Sequence, residues 1–225
     1  MKAEWIVREG RTDLLLFFNG WGMDRRVADW FVSSWADDGR DIAVLYDYRD
    51  LSLPAWLHEA IAEARSVDLV AWSLGVWAAS NAGLARIDRA VAINGTPQPV
   101  DAARGIPPEI FRGTLEGWND ANRKRFERRM TGGVPAEIVE SVRSDRAAAD
   151  QQEELRAIAE AALRSPAESP ASWQFSKALI GGRDLIFTPE NQRWAWLDAG
   201  VSVTEIAEMP HFPFTCIAGW RELLV

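Results

Sequence analysis

Short apolar runs alternate with segments of helical periodicity over the first 96 residues, and this alternation restricts the folds open to the chain. The run over residues 14–18, five apolar side chains followed by Asn-Gly, is typical of a buried strand. We predict strands over 14–18, 42–46, 67–71 and 90–94, and helices over 25–35, 55–64 and 74–85. Strands that alternate with helices in this way form a parallel sheet covered by helices on both faces.

The alternation stops near residue 97 and resumes near residue 174. Between these points the periodicity predicts helices over 107–130 and 135–163 and no strand. After them it predicts strands over 177–180 and 202–206 and helices over 189–199 and 215–224. We therefore predict an α/β core made of residues 1–96 and 174–225, with a helical lid inserted over residues 97–173.

Composition excludes several classes of protein. The chain has 225 residues, enough for one core, and a net charge of −8, which argues against general binding to nucleic acid or anionic membranes. Its longest apolar runs are far shorter than the roughly 20 residues of a membrane span, and no secretory signal is evident. Cys216 is the single cysteine, which excludes an internal disulfide and a cysteine-based metal cluster. We expect a cytoplasmic monomer without metal or cofactor.

One serine lies where a predicted strand passes into a predicted helix, in the segment Val70-Ala71-Trp72-Ser73-Leu74-Gly75. This position and the small residues two before and two after it resemble the G-x-S-x-G turn of serine hydrolases, with Ala71 in place of the first glycine. Such a turn presents the hydroxyl above the carboxyl edge of the sheet, where open α/β sheets bind ligands. The pattern predicts Ser73 as a nucleophile; the alternative is that Ser73 only caps the following helix.

A glycine-containing loop, Asn19-Gly20-Trp21-Gly22-Met23-Asp24, follows the first predicted core strand. In α/β-hydrolases this loop supplies one backbone N–H to the oxyanion hole, and the residue after the nucleophile supplies the other. We predict Trp21 and Leu74 as these donors; the alternative is a simple glycine turn.

The chain has only two histidines, so candidates for a general base are few. His211, between two prolines in Met209-Pro210-His211-Phe212-Pro213, follows the last predicted strand, whereas His58 lies inside a predicted helix. We predict His211 as the base. The acid that orients it should lie between serine and histidine in the chain. Asp184, just after a strand, is preferred over Asp198 near a helix end and Glu205 inside a strand.

These segments together predict an α/β-hydrolase, and they resemble a narrower group. The loop 19–24, the Ala-Trp-Ser-Leu-Gly turn and the Pro-His-Phe-Pro segment look like those of the BioG group, the pimeloyl-[acyl-carrier protein] methyl ester esterases of biotin synthesis. The resemblance covers nearly the whole chain. It implies that Ser73 attacks the methyl ester of a pimeloyl chain on an acyl carrier protein, giving methanol and pimeloyl-acyl carrier protein.

The predicted lid carries five basic residues within seven positions, opposed by a single acid. They are Arg123, Lys124, Arg125, Arg128 and Arg129. The spacing of Arg125, Arg128 and Arg129 places them on one helix face. A basic lid on an acidic protein would attract an acidic partner such as an acyl carrier protein, whose prosthetic phosphate suits arginine. The alternative is a solvated helix face.

Two other functions stay open at this point. A general short-acyl carboxylesterase or thioesterase would use the same three residues. A hydrolase-fold binding protein without catalysis is a third possibility, against which the presence of Ser73, Asp184 and His211 argues.

Overall fold

The computed structural model describes residues 1–164 and 173–224, in which seven strands form one sheet. The strands are β1 (Lys2–Val7), β2 (Asp13–Phe18), β3 (Asp41–Tyr46), β4 (Ser66–Trp72), β5 (Arg89–Ile93), β6 (Lys177–Gly181) and β7 (Ser202–Ile206). Their order across the sheet is β1-β3-β2-β4-β5-β6-β7. Only β1 is antiparallel to its neighbour. The predicted α/β fold with a mostly parallel sheet is confirmed.

Nine helices accompany the sheet in these described residues. They are α1 (Arg26–Ser34), α2 (Ala55–Glu63), α3 (Leu74–Asn81), α4 (Pro108–Glu116), α5 (Asp120–Thr131), α6 (Ala136–Val142), α7 (Ala148–Ala162), α8 (Pro189–Asp198) and α9 (Trp220–Leu223). In the same part of the chain no helix is both long enough and apolar enough to cross a membrane.

The sheet is buried on both faces, and β2 shows how. Leu14, Leu16 and Phe18 pack into one apolar cluster, whereas the intervening Leu15 and Phe17 pack into another. Side chains alternate between the faces of a strand, so a strand covered on both faces is apolar at most of its positions. This is why the central strands read as continuous apolar runs in the sequence.

The segment between β5 and β6 contains α4 to α7 and, among its described residues, no named strand. Residues 165–172 of the predicted lid lie outside the described residues. The two long helices predicted here are wrong, because each is divided in two. Gly117 ends α4, and Asn119 caps α5 by accepting the N–H groups of Ala121 and Asn122. The second division, after Val142, leads into a loop whose carbonyls accept hydrogen bonds from Arg123.

At the two ends of the chain the structure has one strand that was not predicted and one helix that is shorter than predicted. The edge strand β1 was not predicted, because its side chains are mostly half-buried and include Lys2 and Glu4, so it lacks an apolar run. The closing helix is confined to α9, four residues instead of the predicted ten.

Candidate active site

Ser73 lies on a tight turn between β4 and α3. Its backbone has φ 59° and ψ −131°, an unusual conformation for a residue other than glycine, which costs on the order of 1–3 kcal/mol. The Ser73 N–H donates to the carbonyl of Ile93 on β5 (2.9 Å), which ties the turn to the neighbouring strand. The Ser73 side chain makes no capping bond to α3, so the alternative interpretation as a helix cap is wrong.

Close backbone approach explains the small residues around this turn. A Cβ atom on Gly75 would lie 2.5 Å from the carbonyl oxygens of Phe18 and Asn19, and one on Gly95 would lie 2.2 Å from the carbonyl oxygen of Ser73. Neither position can hold a side chain without movement of the backbone. Ala71, two residues before Ser73, is fully buried, so a methyl group fits where the usual pattern has glycine.

Ser73, His211 and Asp184 form a continuous hydrogen-bonded chain. His211 Nε2 lies 2.9 Å from Ser73 Oγ, and His211 Nδ1 lies 2.9 Å from Asp184 Oδ2. A carboxylate can only accept, so Nδ1–H donates to Asp184 and leaves Nε2 free to accept the serine proton. All three side chains are buried. This arrangement is able to activate the hydroxyl as a nucleophile.

Three further donors hold the Asp184 carboxylate in place. Its Oδ1 accepts the backbone N–H groups of Ile186 (2.7 Å) and Phe187 (3.0 Å). Its Oδ2 accepts Gln192 Nε2 (3.1 Å), a fully buried amide on α8 that sequence reasoning missed. A single glutamine within a helix gives no signal of such a role.

The other candidate acids and the second histidine lie elsewhere. Asp198 pairs with Arg104 and Glu205 with Arg193, both at the exposed surface. His58 is an exposed residue of α2.

The backbone at His211 is fixed by side chains from two core strands. Its carbonyl oxygen accepts Trp72 Nε1 (2.8 Å) and Asn94 Nδ2 (3.0 Å). Asn94 follows β5 with φ 48°, and its Oδ1 accepts the N–H of Gly181 at the end of β6 (2.7 Å). Asn94 and Trp72 therefore join β4, β5 and β6 to the loop that carries His211. Neither residue was predicted, since both look like ordinary strand-end residues.

The two predicted oxyanion donors border the same cavity as Ser73. Trp21 lies in the loop after β2, and Leu74 is the first residue of α3, where the partial positive charge of the helix favours an anion. Within residues 1–164 and 173–224, neither backbone N–H has a hydrogen-bond acceptor. Both are therefore available to an oxygen of a bound molecule.

The cavity beside Ser73 is mostly apolar. About 430 Å³ of space lies between its lining residues, and part of this space is open to solvent. Phe111, Phe126, Leu155 and Ile186 contribute apolar surface, and Arg129 contributes the one charged side chain of its described lining. Such a cavity suits an acyl chain better than a polar substrate.

The five basic residues of α5 divide into two groups. Arg123 turns inward: it pairs with Glu127 and donates to the carbonyls of Ser144 and Arg146, so it braces the helices of the insertion. The other four are exposed and, within the described ranges, have no carboxylate at ion-pair distance. They are Lys124, Arg125, Arg128 and Arg129. Arg125 and Arg129 line one groove between α4 and α5, and Arg129 also reaches the Ser73 cavity.

Comparison with known proteins gives matches over most or all of the chain. A family model described as pimeloyl-ACP methyl esterase BioG matches residues 1–223. The crystal structure of BioG from Haemophilus influenzae superposes with a TM-score of 0.85 at 32% identity, covering 100% of both chains. A lipase-esterase related protein from Clostridium acetobutylicum, 12% identical, superposes with a TM-score of 0.59 over 94% of this chain and 92% of its own, which shows the shared fold alone.

A third relative is longer than this chain. A malonyl-[acyl-carrier protein] O-methyltransferase from Bacteroides fragilis is 39% identical over 190 residues, which is 83% of this chain but 37% of the relative. The chain thus spans little more than a third of that protein.

Proposed function

The chain belongs to the pimeloyl-ACP methyl esterase BioG family, and we propose that it hydrolyses the methyl ester of pimeloyl-acyl carrier protein to the free acid and methanol. Family membership supports an esterase-type enzyme. The observation that carries the proposal is the hydrogen-bonded chain from Ser73 through His211 to Asp184 beside an apolar cavity.

In the proposed acylation step, Ser73 Oγ attacks the ester carbonyl carbon while His211 Nε2 takes the hydroxyl proton. The N–H groups of Trp21 and Leu74 stabilise the negative oxygen of the tetrahedral intermediate, and each such donor is worth roughly 3 kcal/mol of barrier. The intermediate collapses, the bond from carbon to methoxy oxygen breaks, and His211 gives its proton to the leaving methanol. The acyl group is then an ester of Ser73.

Hydrolysis of this acyl-enzyme returns the site to its initial state. His211 removes a proton from water, the hydroxide attacks the same carbonyl carbon, and the proton passes to Ser73 Oγ as the serine leaves. Throughout, Asp184 accepts the Nδ1–H of His211 and stabilises the imidazolium that forms in each step. Gln192, Asn94 and Trp72 hold the acid and the histidine in register with Ser73.

The charges of α5 support a carrier-bound substrate. Four exposed cations lack an acidic partner in the described part of this acidic protein, and two of them line a groove that shares lining residues with the cavity. An acyl carrier protein is acidic and carries its acyl group on a phosphate-containing arm. Arginines suit that phosphate, and the apolar cavity suits the acyl chain. Arg129, which reaches both cavity and groove, would lie beside the arm.

The long relative adds a second line of support. It is named for methylation of an acyl group on an acyl carrier protein. A methyl ester of that kind is what an esterase of this family would remove, so the two activities act on related carrier-bound groups. Because this chain covers 37% of that protein and has the hydrolase fold, the relative supports the proposal through its substrate class and not through its own reaction.

Genetic complementation tests the proposal. The chain should restore growth without biotin to an auxotroph that lacks its own methyl ester esterase, and Ser73→Ala should not. A well-expressed wild type that fails to restore growth would contradict the carrier-ester function and favour a general carboxylesterase or thioesterase.

A fluorophosphonate probe tests catalysis independently of the substrate. It should label the wild type and not Ser73→Ala. An unlabelled wild type would favour a hydrolase-fold binding protein without catalysis.

A further inference from the structure

A buried charged cluster lies where the helical insertion meets the core, outside the three residues of the proposed triad. Glu154 on α7 is fully buried, and Arg146 and Asp47 beside it are 8% and 4% exposed. Arg146 donates to a Glu154 carboxylate oxygen (2.5 Å) and lies 3.5 Å from Asp47. A buried carboxylate is costly unless its oxygens are paired, so its position needs an explanation.

Helix α7 holds the loop that carries the Trp21 N–H through three hydrogen bonds. Glu154 Oε2 accepts the N–H of Gly22 (3.2 Å), and Gln151 Nε2 donates to the carbonyl of the same residue (2.8 Å). The Trp21 indole N–H donates to the backbone carbonyl of Gln151 (2.7 Å). These bonds hold the N–H and the carbonyl of Gly22 against α7. Gly22 has φ +74°, a conformation that glycine adopts readily.

Glu154 also reaches the other end of this loop. Its Oε1 accepts the N–H of Tyr48 (2.9 Å), and the Tyr48 hydroxyl donates to the carbonyl of Asn19 (2.7 Å). Burial raises the pKa of Tyr48 well above its ordinary value, so this hydroxyl keeps its proton. One carboxylate thus connects to the loop directly at Gly22 and through Tyr48 at Asn19.

The charge state of Glu154 depends on Arg146. Burial raises the pKa of Glu154 above its ordinary value, and the Arg146 guanidinium opposes that rise. Arg146 Nη1 also lies 3.4 Å from the carbonyl oxygen of Met23, so the cation touches the same loop.

We infer that Glu154 is a positioning residue for the oxyanion hole: from the helical insertion it holds loop 19–24 in the conformation that places the Trp21 N–H at the Ser73 cavity. The inference rests on the proposed esterase function and deepens it. It makes the helical insertion part of the catalytic apparatus as well as a cover over the substrate. In Glu154→Gln the amide N–H₂ would face either the Gly22 N–H and Arg146 or the Tyr48 N–H, so one of the two connections to the loop would be lost.

The test compares Glu154→Gln with wild type on a short p-nitrophenyl ester, which needs no carrier protein. We expect kcat to fall about 10- to 100-fold and KM to change by less than about 3-fold, because a misplaced donor weakens binding of the transition state and not of the ester. Affinity for a trifluoromethyl ketone, which forms an oxyanion on Ser73, should fall by the same factor as kcat/KM.

A matched control separates this role from a general loss of stability. Asp68 is also fully buried and paired with two arginines, Arg40 and Arg89, but it lies five residues before Ser73 on β4, roughly 16 Å away along an extended strand. Asp68→Asn should lower the melting temperature while leaving kcat and ketone affinity at wild-type values. Gln151→Met is a milder second variant: it removes the donor to Gly22 and a buried oxygen without a partner in the described residues, and should lower kcat about 5-fold.

The outcomes are distinct. If Glu154→Gln and Gln151→Met both match wild type in kcat and ketone affinity, the positioning role is wrong while the esterase function stands. If the wild type itself reacts with neither the ester nor fluorophosphonate, the proposed function is overturned, and the positioning role with it.

Discussion

The turn at Ser73 and the helix α5 both line one cavity, but they differ in burial and in charge. Every residue from 67 to 79 is buried, and Ser73 is held by backbone bonds and by glycines that admit no side chain. In α5 only Met130 and Thr131 are buried, and four exposed cations have no acidic partner in the described chain. The turn holds the Ser73 hydroxyl in a fixed position, whereas α5 carries positive charge at the surface.

This difference suggests that the Ser73 turn serves the reaction and that the exposed face of α5 serves recognition of the carrier. Changes near the Ser73 turn should affect every ester alike, because they disturb the reacting atoms. Changes at the exposed face of α5 should affect only a substrate whose carrier contacts that face. The two regions meet at Arg129, which lines both the cavity and the groove between α4 and α5.

The largest effect is expected on the reaction side. Asp184→Asn should lower kcat roughly 10³- to 10⁴-fold for both a short p-nitrophenyl ester and a carrier-bound methyl ester, since an amide beside Nδ1 favours the wrong tautomer of His211. Steady-state kinetics on the two substrates measure this. Asp198→Asn, at an exposed acid on α8, is the control and should retain wild-type kcat. Equal losses in both variants would contradict the assignment of Asp184.

A smaller and selective effect is expected on the recognition side. The double variant Arg125→Glu/Arg128→Glu should raise KM for the carrier-bound ester about 10-fold or more, because it repels an acidic partner. Turnover of the short ester should stay within about 2-fold of wild type. Arg129 is left intact because it borders the Ser73 cavity.

The matched control for this double variant is Arg221→Glu, another exposed arginine, on α9 beside residues 36–38. It should change neither substrate's kinetics. If the double variant affects both esters equally, the carrier-docking hypothesis is wrong and the contrast between the two regions disappears.

The smallest expected effect is that of salt concentration on kcat/KM for the carrier-bound ester. Raising NaCl from about 50 mM to about 500 mM shortens the screening length severalfold, so kcat/KM for the carrier-bound ester should fall about 5-fold while the short ester changes little. The Arg125→Glu/Arg128→Glu variant should lose this salt dependence. Retention of the full salt effect in that variant would locate the attraction somewhere other than α5.

Local rules explain how much of the core could be predicted. Central strands buried on both faces leave continuous apolar runs, and a strand-to-helix turn requires small residues near the serine, so β2 to β5 and the Ser73 segment were visible in the sequence. The edge strand β1 left no such signal because it is half exposed. In the insertion, a break as short as Gly117-Trp118-Asn119 was hidden within a helical pattern.

The residues that support the site could not be predicted from the sequence, for a different reason. Gln192, Asn94 and Glu154 act through partners 8, 117 and 132 residues away in the chain. Nothing local distinguishes a glutamine that holds Asp184 from one that faces solvent. The same limit applied to α5, where spacing grouped Arg125, Arg128 and Arg129 on one face, but the bracing role of Arg123 depended on carbonyls of a loop more than twenty residues later.

The sequence by itself determined the alternation of strands and helices from β2 to β5 and from β6 to β7, the candidates for nucleophile, base and acid, and the concentration of positive charge in the insertion. These follow from local patterns and from the scarcity of histidine. The tertiary structure alone decided which groups meet. His211 lies 2.9 Å from both Ser73 and Asp184. Arg123 donates to the carbonyl of Arg146, and α7 is hydrogen-bonded to loop 19–24. Contacts of that kind depend on how distant segments pack, which side-chain periodicity along one segment does not encode.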